Sequence, residues 1–596
     1  MTRIAIVGGG MAGLAAAWRL SRPGGPDAQI TVYQRGGRLG GKGASSRGVD
    51  GRIEEHGLHV WLGYYDNAFR LMREVYDELD RATTDPACPI RTVDDAFSPA
   101  NTIGLGIGLG DEWVATFPTN DLVPGQGDSG APTVAEVLGR LVALSTRFAS
   151  SLDASAVRPR AVLSTRPRRP TTLLTDLRAG LRAVTGDPSA GRRVAQFAEL
   201  IWVMTRGVTA DNLISGGYAS IDHLDFREWL AGHGASAGVL DGPFVRGVYD
   251  LVFGYERGDR GRPRFAAGAG VHLASRMFLT YRGAMFWKMS AGMGDVVFAP
   301  LYQALLRRGV RFAFFHRLDN VAVDGGAVTS LTFGRQLDVA DYEPLTRVGG
   351  LPVFPARVPG VPSTTDLESH WCSWPDAGTE RLEAGRDFDT VVLAVSLGMV
   401  PYVCSDLMAT DARWRDMVTH VGTVPTQSVQ AWFDCDESEL GISRPGAIVT
   451  GSGAPFDTVA SLSHTVAREG WESPAPRTSL SLCTVLADGE DVGANCTQFL
   501  GRVGVTPRSV YVRANTDPSD RYVQSLPGSG RYRMRADGSG VANLVLAGDW
   551  LDTGLNAGCI EAATLGGLQA ANVVEGRPIA DDTVGFCPHQ QTEEVG

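Results

Sequence analysis

Residues 3 to 47 constrain this chain more tightly than any other stretch, because they read as strand, glycine turn, helix, strand and second glycine turn. Arg3 to Val7 is a short apolar run, Gly8-Gly9-Gly10-Met11-Ala12-Gly13 follows at once, and Leu14 to Leu20 continues in strong helix formers. Alone, G-x-G-x-x-G says little; between a strand and a helix each glycine has a task. Gly8 permits the tight turn, Gly10 lets backbone approach a pyrophosphate, and Gly13 lets helix pack on strand. Met11 and Ala12 open the helix, whose unpaired N–H groups and positive dipole end suit that anion.

A second strand, Gln29 to Tyr33, ends at Gln34, where the fingerprint expects an acid for a ribose hydroxyl. The glutamine is neutral, yet it accepts one hydrogen bond and donates another, so nucleotide binding survives with a loss of roughly 1 kcal/mol. Beside it, Arg35 would also suit a ribose 2'-phosphate, which makes NADP the rival to FAD at this site. The next residues, Arg38-Leu39-Gly40-Gly41-Lys42-Gly43-Ala44-Ser45, resemble the R-x-G-G-[RK]-x-x-S motif of the amine oxidase and phytoene desaturase superfamily. That resemblance implies FAD, held in part by Arg38, Gly40, Gly41 and Lys42.

Glu54 to Asn67 carries Gly57-Leu58-His59-Val60-Trp61-Leu62-Gly63-Tyr64-Tyr65. It is similar to the G-[LQ]-H-V-[FLW]-x-G-x-Y-x-N segment of the zeta-carotene desaturase, plant-type phytoene desaturase and hydroxysqualene dehydroxylase group. The resemblance places Gly57, Leu58 and His59 beside the flavin ring. His59 and Tyr64 become the candidates for a protein proton donor, while a hydrogen-bonded core imidazole is the plainer role for His59. Phe69, Met72, Val75 and Leu79 then recur at helical spacing, with Asp66 or Asn67 placed to cap.

Length and composition narrow the class. A chain of 596 residues with 43% hydrophobic content has room for several domains and large cores. Its net charge of -11 argues against a nucleic-acid partner. Eight cysteines without a C-x-x-C pair indicate neither zinc nor a disulfide framework. Met1-Thr2-Arg3 enters the first strand directly and no run of 18 apolar residues appears, so a cytoplasmic protein without a membrane span is expected.

Farther along, Gly104, Gly106, Gly108 and Gly110 alternate with apolar residues ahead of Trp113 to Phe117, which predicts a hairpin in a second, antiparallel sheet. Helices are expected over Val134 to Phe148, Arg193 to Thr205 and Phe226 to His233, with His223 and Asp225 as caps. Between the first two lie Arg158, Arg160, Arg166, Arg168 and Arg169, either a solvated loop or a contact for an anionic membrane surface. Asp295 is placed to cap a helix, Pro300 to make its first turn irregular, and Gly309 to end it. Val310 to His316 reads as one strand, Asp324-Gly325-Gly326 as a hairpin turn, residues 338 to 387 as irregular, and Phe388 to Val395 as a buried parallel strand. Val429 to Phe433 and Ser479 to Val485 read as further strands.

The C-terminal strand and turn Leu544 to Trp550, then Asn556-Ala557-Gly558-Cys559-Ile560-Glu561-Ala562-Ala563 opening a helix to Val574, look like the superfamily's G-D-[YW] and [MI]-E-[GA]-A motifs. By that resemblance Asp549, Ile560 and Glu561 face the cofactor, and backbone at Leu318 holds adenine. The expected architecture is α/β: a Rossmann-type FAD-binding domain, glutathione-reductase-like, with a mixed α+β substrate domain. Its FAD-binding part is drawn from 1-100, 286-337, 388-400 and 540-578. The substrate domain takes 101-285 and 401-539, with 338-387 an insertion and 579-596 a tail. The implied function is FAD-dependent desaturation or isomerisation of a lipophilic polyene or isoprenoid. Reductive cyclisation of a polyene such as a tetramate macrolactam, with NADPH as external reductant, and amine oxidation are the alternatives.

Overall fold

The computed structural model describes residues 1–106, 113–117, 119–126, 188–339, 341–442, 445–451 and 453–585. At its centre is a five-stranded parallel sheet ordered Arg311–Ala313, Ala28–Tyr33, Thr2–Val7, Thr390–Leu393, Leu544–Leu546. Strands far apart in sequence meet here, and Thr2–Val7, Thr390–Leu393 and Leu544–Leu546 are apolar runs buried almost throughout, while Arg311–Ala313 at the edge is not. Thr2–Val7 lies between Ala28–Tyr33 on one side and Thr390–Leu393 on the other, so the glycine turn sits where the strand order reverses. Open parallel sheets bind ligands at that switch point.

Helices Met11–Leu20 and Ile560–Val574 pack together over this sheet. Their approach depends on Gly567, where a Cβ would stand 2.2 Å from the Ala12 carbonyl oxygen.

A second sheet of seven strands runs Ser509–Asn515, Thr426–Phe433, Thr478–Val485, Thr458–Ser461, Ile448–Thr450, Thr102–Leu105, Trp113–Thr116. Thr102–Leu105 pairs antiparallel with Trp113–Thr116 as expected, but the sheet is mixed: Thr102–Leu105 pairs parallel with Ile448–Thr450. Against it rest helices Phe226–Gly232, Pro243–Leu251 and Ala267–Leu279, around Phe226, Trp229, Tyr249 and Phe265. Arg193 to Thr205 falls within the longer helix Pro188–Ala210. Asp225 caps its helix in a capping box with Glu228, whereas His223 is exposed and plays no such part.

Several local expectations are corrected. Neither Asp66 nor Asn67 caps the helix Asp66–Leu79 with its side chain. Asp66 is taken by Arg276 and Arg282, and the cap comes from Glu561, far away in sequence, which accepts from the Asn67 and Ala68 backbone N–H groups.

Asp295 lies inside a π turn, Gly294–Phe298, where its carboxylate accepts from Gly292 N–H and from buried Arg47. Pro300 follows in the first turn of Ala299–Arg307, which Gly309 ends at φ +80°. Val310 to His316 is two strands: Arg311–Ala313 joins the parallel sheet, and His316–Asp324 opens a separate antiparallel one after Phe315 at φ +61°.

Nor is 338–387 irregular throughout. It holds the hairpin Thr346–Val348/Leu351–Val353 and supplies Gly378–Glu383 as the third strand beside Ala327–Arg335. The hairpin turns locally at Gly349-Gly350 with Pro352 inside its second strand, whereas Gly378–Glu383 depends on a strand that precedes the whole segment. The expected helix Val134 to Phe148 and the arginine stretch lie outside the described residues. Among the described residues, no helix is long and apolar enough to cross a membrane.

Candidate functional site

A cavity of about 440 Å³ opens at the switch point and continues into the space between the parallel sheet and the seven-stranded one. Its floor is the glycine turn. Gly8 adopts φ +113°, and a Cβ there would stand 2.5 Å from the Ala394 carbonyl oxygen. At Gly13 a Cβ would meet the Gly8 oxygen at 2.0 Å. Gly10 differs, since its Cβ would meet nothing nearer than the Gly40 oxygen at 3.8 Å and would project into open space.

Gly41 and Gly57 are open in the same way, with first neighbours at 3.5 and 3.8 Å. Met11 and Ala12 border the cavity, and their N–H groups belong to the unpaired first turn. The second glycine loop is fastened alongside by Gly40 N–H donating to the Gly9 oxygen at 2.9 Å.

Gln34 braces this turn: its Oε1 accepts from Gly9 N–H at 2.8 Å and its Nε2 donates to the Arg35 carbonyl at 2.5 Å. Arg35 lines the cavity and donates to the Glu368 carbonyl at 2.9 Å, with burial lowering its pKa. Arg38 does not line it. Its guanidinium is turned to Glu368 at 2.7 and 2.9 Å; burial opposes the charge, but that carboxylate outweighs it and raises the pKa. Glu368 thus takes up a charge that the motif assigned to the cofactor.

Lys42 lines the cavity and is paired through Nζ with Asp549 Oδ2 at 2.6 Å. Leu318 borders the cavity from a strand on which it is in register with Phe333.

On the opposite wall are Gly57, Leu58, His59 and Tyr64. His59 Nδ1 faces Glu55 Oε2 at 2.5 Å and Nε2 faces the Lys42 carbonyl at 3.3 Å. Glu55 is fixed in turn by Met293 N–H, 3.0 Å from its other oxygen. Tyr64 is fully enclosed, with the Arg276 guanidinium 5.7 Å from its ring, and burial drives its phenol far above the ordinary range, so it holds its proton at any working pH.

Ile560 borders the cavity at the start of the last helix, as does Cys559, whose Sγ accepts from Ala562 N–H at 3.4 Å as the helix cap. Burial pushes that thiol up to about 12. Glu561 faces away, into the Asn67–Ala68 cap, and burial pushes its carboxyl up to about 7 against those hydrogen bonds. Its expected place at the cofactor is corrected: successive residues at a helix start point in different directions, and the side chain toward the cavity is that of Ile560.

Several cavity residues carried no sequence signal. Gln427, Thr458 and Cys483 come from three strands of the seven-stranded sheet, and Asp250 from the helix Pro243–Leu251. Ser396 was within reach of inference, since it follows the strand Thr390–Leu393, and sheets of this kind bind beyond such strand ends. Val248, Val252, Phe253, Phe265, Leu273 and Met277 make the chamber wall strongly apolar. Among the described residues no His, Cys, Asp and Glu group could hold a metal ion.

Residues 6–75 match the model of the NAD(P)-binding Rossmann-like domain. Over 73 residues the chain is 47% identical to a probable zeta-carotene desaturase from Synechococcus elongatus, covering 12% of this chain and 15% of that protein. Over 75 residues it is 43% identical to a 15-cis-phytoene desaturase of the same organism, again 12% of this chain and 15% of the relative. The likeness to curated relatives therefore spans about a seventh of their length.

Whole-chain likeness is to folds. An oxidoreductase from Methanosarcina mazei superposes with TM-score 0.52 at 12% identity, over 96% of this chain and 100% of that one. An engineered putrescine oxidase does so with TM-score 0.52 at 14% identity, over 97% and 99%. The chain shares their fold: a Rossmann-like dinucleotide-binding domain joined to a second, sheet-based half.

Proposed function

We propose that this chain is an FAD-dependent oxidoreductase acting on a long apolar polyene or isoprenoid. The carrying observation is that one continuous cavity has an open glycine cradle at one end and an apolar chamber at the other. The cradle suits FAD because Gly10, Gly41 and Gly57 leave unfilled the space that any Cβ would occupy. Gly8, Gly10, Met11 and Ala12 would hold the diphosphate, Leu318 the adenine end, and Gly57 to His59 with Ile560 the flavin ring. Bound FAD would supply a two-electron hydride acceptor or donor at its N5 position.

What the chain itself contributes is enclosure, orientation and a placed group for proton exchange. The apolar wall excludes water and aligns a chain-like substrate. Both ring nitrogens of His59 face acceptors, Glu55 on one side and a carbonyl on the other. That arrangement fixes the ring and makes Nε2 the atom that would exchange a proton with the substrate, taking up the one that desaturation releases alongside the hydride. Tyr64 keeps its phenolic proton and shapes the same wall.

The test is anaerobic: protein reconstituted with FAD is mixed with a polyene such as phytoene, and the flavin spectrum and product mass are followed. Polyene-dependent bleaching is expected, with His59→Gln slowing it by roughly 10²- to 10⁴-fold at unchanged FAD content. Bleaching by NADPH with polyene reduction would instead assign reductive cyclisation, and bleaching by an amine would assign amine oxidation. Failure to take up FAD overturns the proposal altogether.

A further inference from the structure

Asp250 interrupts the apolar wall that Val248, Val252, Phe253 and Phe265 give the chamber. This residue sits in the last turn of the helix Pro243–Leu251, 3% exposed, and lines the cavity between Val248 and Leu251. Its two partners are both donors: the Tyr255 hydroxyl on Oδ1 and Gly451 N–H on Oδ2 at 3.1 Å.

A second buried carboxylate, Asp457, lies close enough to repel it. Asp457 accepts from the Thr484 hydroxyl and pairs with Arg260 at 3.3 Å through Oδ2, while its Oδ1 is buried without a hydrogen-bond partner. Arg260 is taken by Asp457, while Arg246, on the same helix as Asp250, and the Tyr255 and Gly451 hydrogen bonds oppose protonation of Asp250 without outweighing its burial. A buried charge without an ion pair in contact is costly, and burial favours the protonated form of such a carboxyl. Burial first and Asp457 second push Asp250 upward in this way. A protonated carboxyl has one O–H to donate, and the two bonds Asp250 receives occupy acceptor sites only.

The geometry points to Asp250 as the hydrogen-bond donor to a hydroxyl or carbonyl oxygen on the substrate, which makes that substrate an oxygenated polyene or isoprenoid and not a pure hydrocarbon. This rests on the lipophilic-substrate reading above and refines it. Thr458, on the adjoining strand, faces the same cavity and gives the oxygen a second polar neighbour. The site decides affinity and register along the chamber, not the redox step, because an oxygen anchored there fixes which carbons of the chain lie farther along the cavity.

The test compares all-trans-retinol with axerophtene, its deoxy hydrocarbon, by quenching of tryptophan fluorescence in the FAD-loaded protein. Retinol is expected to bind about tenfold more tightly, the effect of one buried hydrogen bond to an otherwise unsatisfied donor. Asp250→Asn keeps a donor and should keep most of the preference. Asp250→Leu should abolish it while leaving axerophtene binding and FAD content unchanged. Equal affinity for the two probes in the wild type, or a preference that survives Asp250→Leu, overturns the assignment. Stronger binding of retinylamine than of retinol would also overturn it, since an ionised Asp250 would then be holding an ammonium. Failure to bind any of these probes, with FAD in place, points instead at the lipophilic-substrate reading.

Discussion

Replacing Gly10 and Gly13 separately by alanine adds the same methyl three residues apart in one turn, and the structure assigns the two opposite outcomes. At residue 13 the new Cβ would stand 2.0 Å from the Gly8 carbonyl oxygen, a backbone atom that moves only with the strand itself. Overpacking of this kind costs up to about 3 kcal/mol. The gain of about 1 kcal/mol in helix propensity does not offset it.

Gly10 sits at φ -80° and ψ 178°, a conformation alanine adopts freely, and its Cβ would have 3.8 Å of clearance. Gly10→Ala should therefore leave the apoprotein within about 0.5 kcal/mol of wild type. Its methyl fills the cradle instead, and one misplaced methyl against a tightly held diphosphate costs about 1–3 kcal/mol, or roughly 5- to 150-fold in FAD affinity. Urea unfolding of the apoproteins and FAD titration by flavin fluorescence separate the two effects. An FAD affinity unchanged in Gly10→Ala would refute the placement of the diphosphate, and equal destabilisation by both substitutions would refute the packing argument.

Other consequences can be measured as directly. Glu561 has its carboxyl raised from 4.5 to about 7 in the folded chain, so the folded state holds a proton there that the unfolded chain releases. Its contribution is full below about pH 4.5 and falls as pH rises to about 7, by up to about 3 kcal/mol. Glu561→Gln should flatten that part of the melting-temperature profile, and parallel wild-type and variant profiles would count against it.

Glu368→Leu strands the buried Arg38 guanidinium and should lower stability by about 3 kcal/mol, read as a lower urea midpoint at unchanged slope. An unchanged midpoint would show that the segment around Glu368 is not fastened through this pair. The arginine stretch predicts sedimentation with anionic vesicles, lost in high salt or on replacing Arg166, Arg168 and Arg169. Absence of binding at any salt concentration dismisses that contact.

Local signals in the sequence were legible wherever they were self-contained. The glycine turn, the strand Thr390–Leu393, the Asp324-Gly325-Gly326 hairpin and the Asp225 cap each depend on neighbours a few residues away, and each stands in the structure. The errors share another character. Glu561, Arg38 and Asp66 are charged residues whose sequence context offered one role, while their partners Asn67, Glu368, and Arg276 with Arg282 lie more than 200 residues distant. A charge that becomes buried takes whichever partner the fold brings to it, and adjacency in sequence does not rank the candidates.

The sequence by itself determined the Rossmann-like turn and the strand and helix that flank it, because backbone conformation at Gly8 and the apolar run before it are local properties. Only the tertiary structure decided what lines the cavity. Gln427, Thr458, Cys483 and Asp250 reach it from separate strands and a helix of the second half. A strand's period says that alternate residues share a face, and which of the two faces meets a cavity is settled only when the sheets pack.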